Sequence, residues 1–488
     1  MPAEPRDNSC RVLPQTYFAD PCEVYLRLAP LGRAVLLDSG SDAERGRFDI
    51  IAAQPDPQLS LEIPASADTQ ALNSALANWQ RLSARCGPGN AIAAPGDLPF
   101  CGGYIGHFSY ELGRRLQGLP ASTQCSLPLA MAHYYPWAIV QDRKAQQSWL
   151  LGDCSLSDEL ADQIRELLAA PAIAAGSDAF KLTGEFRGQW SLDEYRAVFD
   201  RVKQYIGAGD CYQINIGQRF SADFSGELFE AYRHLRDIAR APFSAYFPLN
   251  AGQALLSLSP ERFLTLREQE VETRPIKGTR PRHTDPSLDA AAARELLSSD
   301  KERAENLMIV DLLRNDIGRF CKAGSVRAET LFSLESYATV HHLVSVVKGS
   351  LRPDTTGPEL LLGCLPGGSI TGAPKRRAMQ IIDELEVAPR QAWCGTIFYL
   401  SRHGRMDSSI TIRTLYNEHH KLHCWAGGGL VDDSRAEDEY QEQRDKVGAF
   451  ISALESFQRD YPPGESRPST PGDPDPQTGP QVRRESCV

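Results

Sequence analysis

Twelve cysteines are scattered through the 488 residues, yet no Cys-x-x-Cys pair occurs. That pattern excludes a zinc knuckle or a disulfide framework and predicts reduced thiols. No stretch approaches about 18 consecutive apolar residues, so no transmembrane helix is expected. The start, Met1-Pro2-Ala3-Glu4-Pro5-Arg6-Asp7, lacks the apolar core of a secretion signal, and the expected location is cytoplasmic. Basic charge is not in excess: 52 Lys and Arg face 63 Asp and Glu, for a net charge of −11. This balance argues against a nucleic-acid or anionic-membrane partner, which needs a cationic face. A small anionic substrate needs only a local basic pocket. There is no Gly-x-Ser-x-Gly elbow, no Gly-x-Gly-x-x-Gly fingerprint and no Walker loop. The Gly-x-Cys-x-Gly elbow of glutamine amidotransferases is also missing, so glutamine-derived ammonia would have to come from another chain.

What remains is globular: 42% hydrophobic and 24% charged. The organisation expected is a strand-rich region over 1–155, a helix and linker over 156–184, a larger region over 185–460, and a disordered tail over 461–488. Helices are predicted from Leu192 to Ile206, over 300–320 and from about Arg435 to Phe457. In the second, Leu307, Val310, Leu313 and Ile317 fall at helical spacing. Thr396 to Leu400 and Ser409 to Leu415 read as a hairpin around His403-Gly404-Arg405. Mixed helices and hairpins favour an α+β fold over a doubly wound parallel sheet.

Pro275-Ile276-Lys277-Gly278-Thr279 puts one lysine in a turn bracketed by Pro and Gly, downstream of Ser259-Pro260-Glu261-Arg262-Phe263. A partly desolvated turn lysine can act as a nucleophile; alone, the same motif also fits a solvated charge. Two predicted helices carry paired acids: Glu302 and Glu305 on one, Glu439 and Glu442 with Lys446 on the other. Facing one another they would make a hard oxygen site suited to Mg²⁺; apart, they read as two solvated faces. Pro366-Gly367-Gly368-Ser369 through Pro374-Lys375 is a glycine-rich turn ahead of a helix, where free N–H groups can hold an anion. Ala426-Gly427-Gly428-Gly429 reads as a second turn with bare backbone. Arg413 sits in an apolar strand, either on its solvated face or paired with a bound carboxylate. His341 and His342 point to opposite faces of a strand. The His419-His420-Lys421-Leu422-His423 run reads as a surface hairpin.

Taken together, these motifs resemble the chorismate-utilising enzymes. The resemblance is strong over about 190–457 and weaker over about 20–155. Its further anchor is Arg303-Ala304-Glu305-Asn306-Leu307-Met308-Ile309-Val310-Asp311-Leu312-Leu313-Arg314-Asn315-Asp316. The resemblance implies two facing antiparallel sheets flanked by helices, with chorismate and Mg²⁺ in a cleft and a separate glutamine amidotransferase subunit supplying ammonia. In anthranilate-forming members the lysine turn usually reads Pro-Ile-Ala-Gly-Thr. The lysine therefore implies the branch that aminates carbon 4, for p-aminobenzoate and folate: Lys277 attacks carbon 2, the 4-hydroxyl leaves, and ammonia attacks carbon 4 and expels the lysine. The isochorismate branch tends to carry a water-activating lysine where this chain has Gln213.

Carried over by resemblance, Glu261 protonates the leaving hydroxyl and His342 lies near it or near the ring carboxylate. Arg413 and Tyr399, with the Gly427 and Gly428 backbone and Lys446, hold the enolpyruvyl carboxylate; Thr279 and Ser369 are further contacts. Glu302, Glu305, Glu439 and Glu442 hold the metal. Ser39, Arg45, Gly46, Arg47, Phe48, Pro242, Phe243 and Ser244 resemble the family's tryptophan-binding segments, with Asp38 where a glutamate is usual. The rival readings are the anthranilate-forming activity and a non-catalytic chorismate- or tryptophan-binding regulator.

Overall fold

The computed structural model describes residues 10–40, 46–86, 96–122, 124–171, 179–250, 252–336 and 340–460. The linker stretch 172–178 and the tail 461–488 lie outside them. Thirteen strands form one sheet and ten form another, and the pairings within both are antiparallel. The two expected regions interleave. Val35–Asp38 pairs with Phe243–Pro248 in the larger sheet, and Gly103–Phe108 pairs with Thr396–Ser401 in the smaller. Side chains from both sheets share one large core that includes Trp79, Phe108, Phe398 and Trp425. Burial of this kind is the main favourable term in the fold.

Several helices begin where side chains cap them. Ser191 and Glu194 form a reciprocal capping box at Leu192–Gly207. Ser299 caps Asp300–Gly318 through the Glu302 N–H, and so fixes where the glutamates of that helix begin. Its buried stripe differs from the predicted one. Leu307 is 52% exposed, whereas Asn306 is buried and engages Ser345. A side-chain hydrogen bond to the strand beneath takes the place that periodicity gives to a leucine. The third predicted helix is Ala436–Asp460. No helix among the described residues is long and apolar enough to cross a membrane.

Three further expectations change. The strand predicted over 409–415 is two strands: Met406–Ile410 belongs to the smaller sheet and Thr414–Glu418 to the larger. Between them Arg413 adopts φ 50°, and Thr411 bonds back to Gly395 and Ala392, so the chain crosses between the sheets there. The glycine run is no turn: Lys421–Leu430 is continuous strand, with Gly427 opposite Gly217 and Gly429 opposite Asn215. His423 is buried beside Ser221 and Glu418, not on the surface.

Candidate active site

Lys277 lies in the strand Ile276–Pro281, not in a free turn. A bulge at Gly278, φ 72°, interrupts its pairing with Val340–Ser350 between Lys277 and Thr279. A Cβ at Gly278 would come within 2.6 Å of Leu296 and 2.9 Å of Glu302 Oε2, so only glycine lets that carboxylate approach the lysine strand. Across the ladder Thr279 faces His342, and Thr279 Oγ1 lies 2.9 Å from His342 Nδ1.

These residues open onto a cavity of about 600 Å³ between strands and helices. It brings together Lys277, Glu261, His342, Thr279, Ser369, Arg413, Gly427, Gly428 and Lys446 with the four glutamates of the two acidic helices. The glycines explain how the wall is built. A Cβ at Gly217 or Gly427 would strike Trp393 at 2.3 or 2.7 Å, and one at Gly428 would lie 2.7 Å from Glu439 Oε2. Trp393 stacks on Trp425 at 5.2 Å and fills the space the glycines leave.

Glu261 is buried and accepts a hydrogen bond from Ser369 Oγ at 2.8 Å. Burial raises its carboxyl above the ordinary value, and the Ser369 bond with the charges of Lys277, Arg413 and Lys446 offsets this only in part. Burial likewise raises Glu305, against the pull of Lys277 and with the repulsion of Glu302 added. It raises Glu439 against the 2.7 Å bond from Ser434, with Glu442 adding repulsion. Glu442 goes the other way: burial pushes it up, but Lys446, 2.7 Å away, and Lys301 and Lys277 outweigh that. Burial lowers the Arg413 guanidinium, and Glu261 partly restores it. Lys446 also donates to the Gly427 carbonyl at 2.9 Å.

Among the described residues no three His, Cys, Asp or Glu side chains converge as a ready-made metal cage. Still, crowded and partly raised carboxylates suit a hard divalent cation, which would relieve their repulsion. Mg²⁺ in particular keeps waters and takes only one or two protein carboxylates beside its substrate.

Tyr399 is the correction in this set. It lines a second cavity of about 400 Å³, together with Ser39, Arg47, Phe48, Pro242, Phe243 and Ser244. The reason is strand geometry. Glu261 lines the first cavity, whereas Arg262, the next residue along an extended chain, lines the second. Arg262 pairs with Asp407 through two bonds of 3.0 Å, and Asp407 is the ladder partner of Tyr399. Tyr399 therefore stands with Arg262, away from Lys277. In this second cavity Arg262 also lies over Phe243 at 5.2 Å and Arg47 over Phe48 at 4.6 Å. Gly46 packs behind Ser39, where a Cβ would come within 1.9 Å of the Ser39 carbonyl oxygen. Arg45 lies outside the described residues. Asp38 is engaged by Arg143 at 2.9 Å and by Arg236.

Lys301 and Asn215 are among the residues of the first cavity that the motifs do not single out. Lys301 joins the acidic wall, where its charge opposes the rise of Glu439 and helps to lower Glu442. Asn215 sits on the floor. Its signal is faint: carboxamides alternate with isoleucines in Gln213-Ile214-Asn215-Ile216.

Over residues 32–452 the sequence matches the family model described as chorismate binding enzyme. It is 46% identical to aminodeoxychorismate synthase component 1 of Klebsiella aerogenes over 434 residues, 87% of this chain and 94% of that one. The same-named protein of Escherichia coli K12 is 43% identical over 449 residues, 89% of this chain and 96% of that one. Among solved structures, anthranilate synthase component I from Streptococcus pneumoniae superposes with a TM-score of 0.71 at 30% identity, covering 83% of this chain and 92% of its own. With the family model matching residues 32–452, most of its length, the chain belongs to the family of chorismate-binding enzymes.

Proposed function

We propose that this chain is the ammonia-transferring component of an aminodeoxychorismate synthase. It converts chorismate and ammonia to 4-amino-4-deoxychorismate, with ammonia supplied by a partner glutaminase subunit. The observation that carries this reading is the meeting of Lys277 with the raised carboxyl of Glu261 in one cavity. The identity of 43–46% to proteins named for that activity supports it.

The Lys277 amine adds to ring carbon 2. The ring electrons shift, the bond from carbon 4 to its hydroxyl breaks, and Glu261 delivers its proton so that water leaves. Ammonia then bonds to carbon 4, the electrons shift back, the bond from carbon 2 to the lysine nitrogen breaks, and Lys277 is freed. Arg413 and Lys446 supply the cations for the substrate carboxylates, and Thr279 orients the His342 ring. Glu302, Glu305, Glu439 and Glu442 would hold Mg²⁺, one or two of them directly and the others through its waters, and the ion when bound supplies positive charge for the ring carboxylate. The second cavity, walled by Phe48, Phe243 and Pro242, is proposed to hold tryptophan.

With chorismate and Mg²⁺ but no ammonia, Lys277 should gain the mass of chorismate less one water, read by peptide mass spectrometry after a rapid quench. Lys277→Ala should show no such peptide. An unmodified Lys277 after that ammonia-free incubation would remove the covalent step from the proposal.

A further inference from the structure

Asn215 lies in the strand Gln213–Ser225 with its backbone fully engaged. Its N–H donates to the Thr371 carbonyl at 2.8 Å, and its own carbonyl accepts from Arg390 Nη2 at 2.7 Å. The side chain is different. The residue is 9% exposed and lines the first cavity, yet Oδ1 has no hydrogen-bond partner among the described residues. Gln213, two residues earlier on the same face, is 1% exposed, and its Oε1 is equally unpartnered. The facing strand makes room for Gln213. Gly429 pairs with Asn215 and lines the cavity, and a Cβ there would lie 2.0 Å from Gln213 Nε2.

Two buried carbonyl oxygens without donors are costly, and native structures seldom keep them unless something binds there. Carboxylates of the substrate are not that something, because a carbonyl oxygen repels them. They have Lys277, Arg413 and Lys446 elsewhere in the cavity. A small neutral donor with several N–H groups fits: ammonia has three and needs acceptors before it attacks.

Resting on the ammonia-transfer reading, we infer that Asn215, backed by Gln213, binds the nitrogen nucleophile through Oδ1.

The test is steady-state kinetics of the full chain with ammonium chloride as the varied substrate, at saturating chorismate and Mg²⁺. Asn215→Leu keeps the volume and removes the acceptor. Its KM for ammonium should rise about tenfold or more, the loss expected for one bond to a buried acceptor, while KM for chorismate stays within about twofold. Asn215→Asp, which keeps an acceptor oxygen, should recover most of the loss. If the leucine unfolds the chain, Asn215→Ala carries the same expectation. An unchanged ammonium KM, or an equal rise in both KM values, would overturn the role of Asn215 while leaving the reaction in place. A wild-type chain that cannot use ammonium at all would overturn both.

Discussion

Burial raises the Glu261 carboxyl above its ordinary value, and Ser369, Lys277, Arg413 and Lys446 pull it back only in part. The sign matters for catalysis. A general acid works in its protonated form, and a raised value keeps that form populated to higher pH. The rate should therefore fall as pH climbs through the raised value. Glu261→Gln should lower kcat by about 10²-fold or more and flatten that alkaline limb, with KM for chorismate nearly unchanged. A pH profile of kcat on both proteins checks this, and a limb that survives in the glutamine variant would assign the proton to another group. At this scale the meeting of these residues in one cavity is largely legible, because Lys277, Glu261 and the four glutamates sit in dense motifs. Tyr399 was misplaced, since a strand residue can serve either of two cavities and sequence alone does not say which. Asn215 escaped because one amide in an apolar strand looks like a satisfied core group.

Strands proved harder to read than helices. The helices around Glu302 and Glu439 lie close to where the sequence predicts them, the first capped by Ser299. The glycine run at 426–429 looked like a turn, because glycine usually marks one. Here it is a strand whose missing side chains admit Trp393, Gln213 and Glu439, contacts made by residues far away in sequence. The break at Arg413 was equally hidden, since an apolar run does not reveal that the chain changes sheets within it. The Arg262–Arg267 strand adjoins both sites, with Glu261 at its start in the first cavity and Arg262 in the second. If the second cavity holds tryptophan, saturating tryptophan should raise the melting temperature of the wild type by roughly 2 °C or more. Phe243→Ala, which removes an aromatic wall, should abolish the shift. A wild-type curve that tryptophan does not move would exclude this ligand.

Across the whole molecule, the α+β class and two-sheet architecture followed from the family resemblance. Hairpin spacing alone gave only the class. Strand order could not be read, because Val35–Asp38 and Phe243–Pro248 pair across some two hundred residues, beyond any local pattern. That long-range pairing is what joins the N-terminal strands to the sheet that lines the first cavity, and it lets one chain build two separate cavities. The product of the reaction decides between the two branches. The purified chain, given chorismate, Mg²⁺ and ammonium at mildly alkaline pH, should yield 4-amino-4-deoxychorismate with its enolpyruvyl group intact, identified by mass spectrometry. Anthranilate and pyruvate in its place would contradict the account and put the chain in the anthranilate-forming branch.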